Sequence, residues 1–562
     1  MSDLHSYTQG SKAEPLLDIT IGDQFDLTAE KFPHNDALIV RHQNIRLTYA
    51  QFQQQVDQAA RAFMAIGVTK GDRVGIWSPN CAEWTITQLA TAKIGAILVN
   101  INPAYRTHEL EYALNQSGTK YLVSAVSFKS SNYMEMLYSL APELKAGKVG
   151  QLVSATLPSL KGVISLSSQA LAGSWCWQEF LNHADQISAE QLSAVQASLD
   201  IHDPINIQYT SGTTGFPKGA ALSHHNILNN GFFVAESMKF TDQDRLVIPV
   251  PLYHCFGMVM GNLGCITHGA AMIYPDEGFE PQTVLTAVAE ERATALFGVP
   301  TMFIAEMEHP EFEQYDLSSL RTGIMAGSIC PAEVMKAVNT KMHMHEVQIA
   351  YGMTETSPVS TQTAADDPFD KRVSTVGRTQ PHIESQIIDP ATGEVQPRGE
   401  VGELCTRGYS VMLKYWNNPE ATQNTIDPQG WMHTGDLAIM DADGYVQIVG
   451  RIKDMVIRGG ENIYPKEIEE FLYTHPAISD VQVTGVPDPQ FGEELVAWIK
   501  LTPQADNVTE DELKSFCQGA ISHFKIPRYF KFVDNFPMTV TGKIQKFKMR
   551  EISIEELGLD EN

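Results

Sequence analysis

The segment that determines the architecture is Tyr209-Thr210-Ser211-Gly212-Thr213-Thr214-Gly215-Phe216-Pro217-Lys218-Gly219. Its glycines allow the backbone to adopt positive φ angles, so that several N–H groups can point at one anion. Its hydroxyl side chains can donate further hydrogen bonds, and Lys218 adds a flexible positive charge. This composition predicts a loop that binds phosphate groups.

The phosphate-binding interpretation competes with two others. A Walker A loop would place Gly and then Lys where this chain has Pro217 and Lys218. A flexible surface turn is the ordinary explanation of an isolated Gly/Ser/Thr cluster. However, residues 205–209 alternate as in a strand and residues 222–226 lead into a helix-like pattern. The loop is therefore predicted at the carboxyl end of a strand, where α/β folds bind ligands.

Length, charge and cysteine content exclude several classes of protein. A chain of 562 residues is too long for one ordinary core, so several domains are expected. The net charge of -27 argues against a general affinity for nucleic acid or anionic membranes, because both need clustered Lys and Arg side chains. The seven cysteines include no C-x-x-C pair, which suggests neither a zinc site nor a disulfide framework and favours the reducing cytoplasm.

Two patterns bear on membranes. The first fifteen residues lack a basic region followed by an apolar run, so no signal peptide is predicted. Residues 246–274 contain no Asp, Glu, Lys or Arg and are long enough to span a bilayer. Prolines, histidines and four glycines interrupt this segment, so the wall of a buried pocket is the preferred interpretation and a membrane span is the alternative. Peripheral contact with a membrane stays open.

The first part of the chain alternates between helix-like and strand-like patterns, as expected for an α/β domain. Residues 49–63 and 83–94 are predicted helices, and residues 74–77 and 96–100 are predicted strands. Residues 127–174 lack periodicity and are rich in Ser, Gly and Lys. This segment is predicted to be an elaboration of the surface.

The loop at residues 209–219 resembles the phosphate-binding loop of the adenylate-forming, or AMP-binding, superfamily. That superfamily includes acyl-CoA synthetases, adenylation domains of peptide synthetases and luciferases. Five further motifs resemble those of the family and follow in its order, at residues 324–328, 348–356, 430–437, 450–454 and 537–545. The resemblance extends from about residue 25 to residue 550, and it is to the acyl-CoA synthetase, or fatty-acid–CoA ligase, branch.

The resemblance implies the adenylate-forming enzyme fold, which is α/β. A large, multi-layer α/β N-terminal domain, residues 1–452, binds ATP and the acyl group. A small, mobile α+β C-terminal domain, residues 453–562, carries the catalytic lysine, and Lys453 matches the hinge between the two. The sequence also favours a separate C-terminal unit, since Pro465 is suited to the first position of a helix and residues 496–499 alternate as a strand.

The resemblance also implies roles for single residues. Lys543 is the catalytic lysine, Thr354 bonds the α-phosphate, and Glu355 is both a catalytic residue and the ligand of Mg²⁺. Tyr351 supplies a face against adenine, and Asp436 accepts hydrogen bonds from the ribose. The ATP-binding residues implied in this way are Thr210, Ser211, Gly212, Thr213, Thr214, Gly215, Phe216, Pro217, Lys218, Gly327, Ser328, Tyr351, Gly352, Met353, Asp436 and Arg451.

The acid and CoA positions follow from the same resemblance. His254 matches the place where the substrate carboxyl group enters, and the absence of a Phe-Asp pair there disfavours an α-amino acid. Glycines at helical spacing after His254 are typical either of a close-packing face or of a channel for an apolar acyl chain. The predicted acyl-binding residues are His254, Gly257, Met258, Gly261 and Gly264, and the predicted CoA-binding residues are Arg458, Gly459 and Gly460.

The predicted function is an AMP-forming acid–CoA ligase that activates a medium- or long-chain fatty acid, or a similar apolar acid. The acid first displaces pyrophosphate from ATP, and CoA then displaces AMP from the acyl-adenylate. Three alternatives remain: transfer of the acyl group to a carrier protein or an amine, a luciferase-like oxygenase, and a non-catalytic nucleotide-binding protein. ATP and CoA are expected as co-substrates and Mg²⁺ as cofactor, in a cytoplasmic monomer or homodimer that binds no nucleic acid.

Overall fold

The computed structural model describes residues 5–210, 217–328, 330–459, 461–503, 505, 508–539 and 543–559. The described strands are, in chain order, β1 (Tyr7–Gln9), β2 (Asp36–Val40), β3 (Ile45–Thr48), β4 (Arg73–Trp77), β5 (Ile97–Asn100), β6 (Tyr121–Ser124), β7 (Ser127–Phe128), β8 (Ser131–Asn132), β9 (Gly162–Ser165), β10 (Ser174–Cys176), β11 (Pro204–Thr210), β12 (Lys218–Ser223), β13 (Arg245–Val247), β14 (Ala271–Tyr274), β15 (Ala295–Gly298), β16 (Thr322–Met325), β17 (Glu346–Gly352), β18 (Val359–Gln362), β19 (Arg378–Thr379), β20 (Ile383–Ile388), β21 (Gly402–Gly408), β22 (Lys414–Tyr415), β23 (Met432–Met440), β24 (Val446–Arg451), β25 (Val456–Arg458), β26 (Glu461–Ile463), β27 (Ile478–Asp488), β28 (Gly492–Leu501) and β29 (Tyr529–Phe532).

Helices connect most of these strands. The α-helices are α1 (Ile21–Lys31), α2 (Tyr49–Ala65), α3 (Ala82–Ile94), α4 (Thr107–Ser117), α5 (Tyr133–Leu140), α6 (Trp177–Asn182), α7 (Ala189–Gln196), α8 (His224–Ser237), α9 (Gly264–His268), α10 (Pro281–Glu291), α11 (Pro300–Met307), α12 (Ala332–Lys341), α13 (Phe369–Ser374), α14 (Pro419–Thr425), α15 (Pro465–Leu472), α16 (Glu510–Cys517) and α17 (Lys546–Leu557). Short 3₁₀ helices lie at Pro142–Lys145, His183–Gln186, Phe312–Gln314, Thr354–Thr356, Ile452–Asp454 and His523–Lys525, and a π-helix spans Phe256–Leu263.

Two large mixed sheets form the first part of the molecule. One has eight strands in the order β10-β9-β6-β4-β5-β11-β12-β22, and the other has nine in the order β19-β18-β17-β16-β15-β13-β14-β2-β3. The inner strands of both sheets run parallel. Antiparallel strands lie at both edges of the nine-stranded sheet and at the β22 edge of the eight-stranded sheet, whose other edge, β10, is parallel. This arrangement, with helices between and around the sheets, confirms the predicted α/β class.

One hydrophobic core joins the two large sheets. It contains Val74 and Leu98 from the eight-stranded sheet and Leu246 and Phe297 from the nine-stranded sheet. Helix α3 contributes to it and is buried along almost its whole length, which a helix achieves only when it is packed on every side. The two sheets therefore form one packed body, and loops at the carboxyl ends of their strands can meet in one cleft.

The strands after Lys453 form a sheet of their own. Its order is β26-β25-β28-β27, and β29 pairs with β28. Helix α15 packs on this sheet through Ile468 and Leu472, in a separate hydrophobic cluster with Val481. A third sheet, β1-β20-β21-β23-β24, precedes Lys453. The domain boundary at Lys453 itself stays a prediction.

The predicted surface elaboration at residues 127–174 is wrong for two elements. Helix α5 buries Tyr133 and Leu137, and strand β9 is an inner strand of the eight-stranded sheet with Val163 fully buried. Both elements are short and largely buried, so neither produces an alternation of apolar and polar residues that the sequence could show.

The uncharged segment at residues 246–274 is a buried part of the fold. It contains the end of β13, the π-helix, helix α9 and strand β14, and most of its side chains are inaccessible. Among the residues that the structure describes, no helix is both long and apolar enough to cross a membrane. This supports the pocket-wall interpretation of the segment.

Candidate active site

The predicted phosphate loop connects two antiparallel strands. Strand β11 ends at Thr210, β12 begins at Lys218, and these two residues pair with each other. The loop thus leaves the carboxyl end of a strand as predicted. Helix α8 begins at His224, which confirms the helix predicted from residues 222–226, and strand β12 lies between the loop and this helix. Pro217 accepts a hydrogen bond through its carbonyl oxygen from Tyr112 Oη at 3.1 Å. The predicted residues Ser211, Gly212, Thr213, Thr214, Gly215 and Phe216 lie outside the described residues.

Glu355 is held in place by a residue that the sequence analysis missed. Glu355 is buried in the 3₁₀ turn after β17, and its Oε1 accepts a hydrogen bond from Tyr415 Oη at 2.6 Å. Burial and the Glu355 charge raise the pKa of Tyr415, so its hydroxyl keeps the proton that it donates. Lys218 Nζ lies 5.2 Å from the centre of the same ring. Tyr415 therefore contacts both Glu355, the predicted metal ligand, and Lys218, the lysine of the predicted phosphate loop.

Three predicted nucleotide-binding residues meet at strands β23 and β24. Tyr351 Oη donates to Asp436 Oδ2 at 2.7 Å, and Arg451 Nε donates to Asp436 Oδ1 at 3.2 Å. Asp436 and Arg451 are paired neighbours on the two strands. Burial raises the pKa of Asp436, while Arg451 and Tyr351 act in the opposite direction. The cluster presents a carboxylate, a guanidinium group and an aromatic ring together.

Lys543 reaches the cleft from a short hairpin. Thr539 N donates to the Lys543 carbonyl at 2.8 Å, and Lys543 N donates to Thr539 Oγ1 at 3.1 Å. Lys543 Cε lies 3.9 Å from the point where a Cβ on Gly327 would stand. Gly327 has φ +89°, a conformation that favours glycine, and predicted Ser328 follows it. The lysine thus packs against the glycine of the predicted adenine segment.

Lys543 also shares its surroundings with the charged residues of the cleft. Burial lowers the pKa of its amine, and the nearby Arg451 lowers it further. The carboxylates of Glu355 and Asp436 oppose this shift. Lys543 therefore lies close enough to interact with both predicted ends of the nucleotide site, the metal ligand and the ribose carboxylate.

Gly352 ends strand β17, and Met353 and Thr354 follow it in the turn to β18. A Cβ on Gly352 would lie 1.7 Å from the Pro358 carbonyl oxygen, so only glycine fits there. Met353 N donates to the Pro358 carbonyl oxygen at 3.0 Å, which closes the turn. Thr354 is buried beside Glu355. These contacts place the predicted phosphate-binding hydroxyl and the predicted metal ligand side by side.

His254 lies beside Lys543 as a neutral side chain. Burial and then the Lys543 charge lower the pKa of its imidazole to about 3. Its Nδ1 accepts a hydrogen bond from Phe256 N at 3.2 Å. Met258 is buried behind it, where its Sδ accepts a hydrogen bond from Gln208 Nε2 at 3.0 Å. His254 can therefore contact a substrate carboxyl group without bringing a charge.

The three glycines of the predicted acyl channel pack closely against the fold. A Cβ on Gly257 would lie 2.7 Å from the Pro251 carbonyl oxygen, and one on Gly261 would lie 2.9 Å from Ile248 Cδ1. Gly264 lies against helix α8, where a Cβ would be 3.3 Å from the Gly231 carbonyl oxygen. These contacts favour the close-packing alternative. The acyl-binding role of the glycines stays a prediction.

A cavity of about 460 Å³ lies next to these residues. One side consists of residues before Lys453 and includes Tyr253, the neighbour of His254, whereas the other side includes Thr539 of the Lys543 hairpin. Much of its lining is apolar, with Pro249, Pro251, Phe279, Met302, Ile304, Phe536 and Met538. Four charged residues also border it, Lys129, Glu277, Asp480 and Lys500. The cavity volume falls within the range of about 300–1,000 Å³ that is typical of small-molecule sites.

Of the predicted CoA residues, Arg458 ends strand β25 of the C-terminal sheet. Arg458 Nε donates to Glu494 Oε1 at 2.7 Å, and Arg458 Nη1 donates to the Phe524 carbonyl oxygen at 2.7 Å. Gly459 has φ +59°. Gly460 lies outside the described residues. Lys453, the predicted hinge, lies in the 3₁₀ turn Ile452–Asp454, where burial lowers the pKa of its amine.

Comparison with known proteins identifies the family. Residues 25–416 match the AMP-binding enzyme model, and residues 467–543 match the AMP-binding enzyme C-terminal domain. The chain belongs to the AMP-binding enzyme family. Six of the predicted site residues lie between the two matches: Asp436, Arg451, Lys453, Arg458, Gly459 and Gly460. The matches confirm the superfamily that the motifs indicate.

Relatives of this AMP-binding enzyme cover nearly its whole length. YngI of Bacillus subtilis (strain 168), whose name assigns it provisionally to the acyl-CoA synthetases, is 53% identical over 97% of this chain and 99% of its own. The mitochondrial medium-chain acyl-CoA ligase ACSF2 of Bos taurus is 46% identical over 99% and 91%. The crystal structure of anthranilate CoA ligase AuaEII in complex with anthranoyl-AMP superposes with a TM-score of 0.84, at 25% identity over 97% and 99%. These matches confirm the predicted enzyme class, an AMP-forming acid–CoA ligase that uses ATP and CoA.

Removing the Tyr415 hydroxyl is expected to weaken the nucleotide site of this AMP-binding enzyme. Tyr415→Phe deletes the hydrogen bond to the Glu355 carboxylate, and a bond to a charged group contributes about 1.5–3 kcal/mol, or about 10- to 150-fold in kcat/KM for ATP. A titration of pyrophosphate release against ATP at fixed Mg²⁺ measures the loss. Tyr445→Phe is the matched control, because Tyr445 Oη donates to Asp367 Oδ1 at 2.7 Å outside the cleft. Equal losses in the two variants would contradict the positioning role of Tyr415.

Proposed function

We propose that this acid–CoA ligase activates a medium- or long-chain fatty acid, or a similar apolar acid, through an acyl-adenylate. The observation that carries the proposal is the cavity between the His254 segment and the Lys543 hairpin, where apolar side chains from both sides line much of the wall. A hydrocarbon tail gains about 0.8 kcal/mol for each methylene that it buries there. The printed name of the 46% identical relative, a medium-chain acyl-CoA ligase, supports the same class of acid.

In the first step, this chain brings the acid and the nucleotide together and balances their negative charges. The carboxylate attacks the α-phosphorus, and pyrophosphate leaves with the electrons of the broken P–O bond. Lys543 lies where a positive charge can stabilise the crowded anions, and Asp436 and Arg451 hold the ribose side of the nucleotide. His254 contacts the carboxyl group in its neutral form, so it does not hold the acid back as a counter-ion would.

The residues around Glu355 fit a magnesium ion. Mg²⁺ prefers oxygen ligands, and here a buried carboxylate and the neighbouring Thr354 hydroxyl supply them. Without a cation, the Glu355 carboxylate would repel the phosphates that Lys218 and the 209–219 loop attract. Glu355 would hold the ion, which supplies positive charge to the phosphate oxygens when bound. The Tyr415 hydroxyl keeps the carboxylate oriented for this role.

In the second step, CoA takes the acyl group and AMP leaves. We propose that the domain after Lys453 rotates about this residue, which withdraws Lys543 and brings Arg458, Gly459 and Gly460 to the cleft. The loop at Gly459 has no side chain to obstruct a thin pantetheine arm. This division of labour lets one cleft serve both half-reactions.

The chain-length preference is expected to follow the size of the cavity. Met302→Trp fills part of it, so the kcat/KM of pyrophosphate release should shift toward shorter straight-chain acids, by about fourfold for each methylene excluded. The assay uses ATP, Mg²⁺ and acids from short to long, each with CoA. Met307→Trp, on the same helix but outside the lining, is the control. An unchanged profile in Met302→Trp would place the acyl tail elsewhere.

The same assay without CoA separates the acceptors. Release of pyrophosphate in multiple turnovers with CoA and in a single turnover without it supports transfer to CoA. A single turnover under both conditions, for every acid, would instead favour a carrier protein or an amine as the acceptor.

We also propose a cytoplasmic location. All seven cysteines are free and buried, which suits a reducing compartment. Cell fractionation with an antibody against the chain tests this, and recovery in an organelle would contradict it.

A further inference from the structure

Three potential metal ligands converge on strands β21 and β23, beside the nucleotide cleft. Cys405 and His433 are paired across the two strands, and Glu403 lies two residues before Cys405. His433 Nδ1 is 3.0 Å from Glu403 Oε2 and 3.6 Å from Cys405 Sγ. One ligand atom of each residue lies within 4.8 Å of the other two. Among the residues that the structure describes, these three form the one group of His, Cys, Asp and Glu side chains whose ligand atoms lie this close together.

The two distances that involve His433 Nδ1 suit a tetrahedral ion. An ion with bonds of about 2.0–2.3 Å to nitrogen, oxygen and sulfur holds neighbouring ligand atoms about 3.3–3.6 Å apart. The observed separations of 3.0 and 3.6 Å from His433 Nδ1 differ from this by a few tenths of an ångström at most. An ion could therefore replace the proton on Nδ1 with little movement of the strands.

The outer contacts of two of these residues are those of oriented metal ligands. Glu403 Oε1 accepts a hydrogen bond from Gly435 N at 3.0 Å, so Oε2 is the oxygen directed at His433. On the other side of the imidazole, Asp427 Oδ2 lies 3.9 Å from Nε2. Asp427 is itself fixed, because its Oδ1 accepts from Trp431 N at 2.8 Å. A carboxylate facing the distal nitrogen of a histidine ligand sets its tautomer and orientation.

A purely structural explanation accounts for less of this arrangement. Cys405 packs with Ile388 and Trp431, as a small apolar side chain would, and His433 could simply donate to Glu403. Neither contact explains why the Cys405 thiol and the Glu403 carboxylate both face the same nitrogen, His433 Nδ1. The side chain of His433 is 35% exposed, so an ion can reach the group from solvent.

We propose that Glu403, Cys405 and His433 bind one divalent ion of the zinc type, with water as its fourth ligand. Sulfur and imidazole ligands favour such an ion over Mg²⁺ or Ca²⁺, so the site differs in chemistry from the one at Glu355. Binding converts the Cys405 thiol to a thiolate and releases its proton to solvent. The inference is independent of which acid the enzyme activates.

The bound ion would brace the irregular part of strand β23 that carries Asp436. His433 directly precedes Thr434, whose Oγ1 accepts from Asp436 N at 3.1 Å, and Gly435 is bonded to Glu403. The ion would cross-link β21 and β23 where their pairing is irregular. Zinc is therefore expected to raise the melting temperature of the full-length protein.

Cobalt absorption tests the site directly. The full-length protein is treated with a chelator, dialysed and titrated with Co²⁺, whose bond to a thiolate gives a charge-transfer band in the near ultraviolet. We expect the band to saturate at one equivalent per chain and to vanish on addition of Zn²⁺. Cys405→Ser should lose it, whereas Cys176→Ser, a buried cysteine on another sheet, should keep it.

Three results would overturn the proposal. They are the absence of a thiolate–cobalt band in the wild-type protein, a band of equal size in Cys405→Ser, and a rise in melting temperature with Zn²⁺ that is the same in both proteins. If Cys405→Ser does not fold, His433→Gln replaces it, because the imidazole is partly exposed and its substitution leaves the core intact. In that variant the Co²⁺ affinity should fall by at least tenfold, and an unchanged affinity would contradict the site.

Discussion

Lys543→Ala is expected to lower the rate of adenylate formation by about 100- to 1,000-fold, the size of the loss of one strong electrostatic contact in a transition state. The lysine is partly buried in the cleft, close to the charges of Glu355 and Asp436, where two anions must approach each other. Thioester formation from supplied acyl-adenylate and CoA should survive, because the proposed rotation removes Lys543 before that step. Pyrophosphate release measures the first step, and CoA thioester formation measures the second.

Lys548→Ala is the matched control for this experiment. Lys548 lies five residues further on, is exposed on helix α17, and should leave both steps unchanged. If Lys543→Ala lowers the two rates equally, the proposed division of labour between the two domain positions is wrong.

The pH dependence of the first step should report the same amine. Lys543 acts when protonated, and burial places its pKa below the ordinary value of 10.5. The rate should therefore fall as the pH rises through this lowered pKa, earlier than an exposed lysine would allow. Lys543→Arg keeps its positive charge at alkaline pH, so in this variant the fall in rate should occur at a higher pH. If the rate of Lys543→Arg falls at the same pH as that of the natural chain, a group other than Lys543 titrates.

Glu355→Gln is expected to cause a loss of similar size, about 100- to 1,000-fold in pyrophosphate release, since a metal ion contributes several kcal/mol to stabilising phosphoryl charge. The amide oxygen can still accept the hydrogen bond from Tyr415, so the change isolates the negative charge. The concentration of Mg²⁺ needed for half-maximal rate should rise in the variant. A titration with Mg²⁺ at saturating ATP measures both effects.

Glu346→Gln provides the comparison for Glu355→Gln. Glu346 begins the same strand, β17, and pairs with Arg321 at a distance from the cleft. It should leave the Mg²⁺ dependence unchanged. A normal Mg²⁺ dependence in Glu355→Gln as well would remove the basis for the proposed ligand.

Features that are local in sequence could be predicted from it. The glycines and hydroxyls at residues 209–219, and the carboxylate at Asp436, lie in compact motifs whose residue types indicate which ligand groups they can bind. Helices α2 and α3 follow from continuous patterns, and the structure confirms both. The resemblance to a known family added the order of the motifs, which no single pattern contains.

Features that depend on distant pairing could not be predicted. Tyr415 lies 60 residues from Glu355, and only the antiparallel pairing of β12 with β22 brings it to the cleft. Cys405 and His433 are 28 residues apart on two strands, so no spacing rule for metal ligands detects them. Glycine spacing in the π-helix could not distinguish packing from a channel, because the answer depends on what faces the missing side chains.

The burial of every thiol has a practical consequence. A reagent that modifies cysteines can react only when the surrounding structure opens, so the rate of labelling at each position reports the free energy of that opening. One reporter, Cys517, lies in the C-terminal part, and the others, Cys81, Cys176, Cys255, Cys265, Cys330 and Cys405, lie before Lys453. Mass spectrometry of a single labelling time course would thus show, in the natural chain, whether its two parts open together or one before the other.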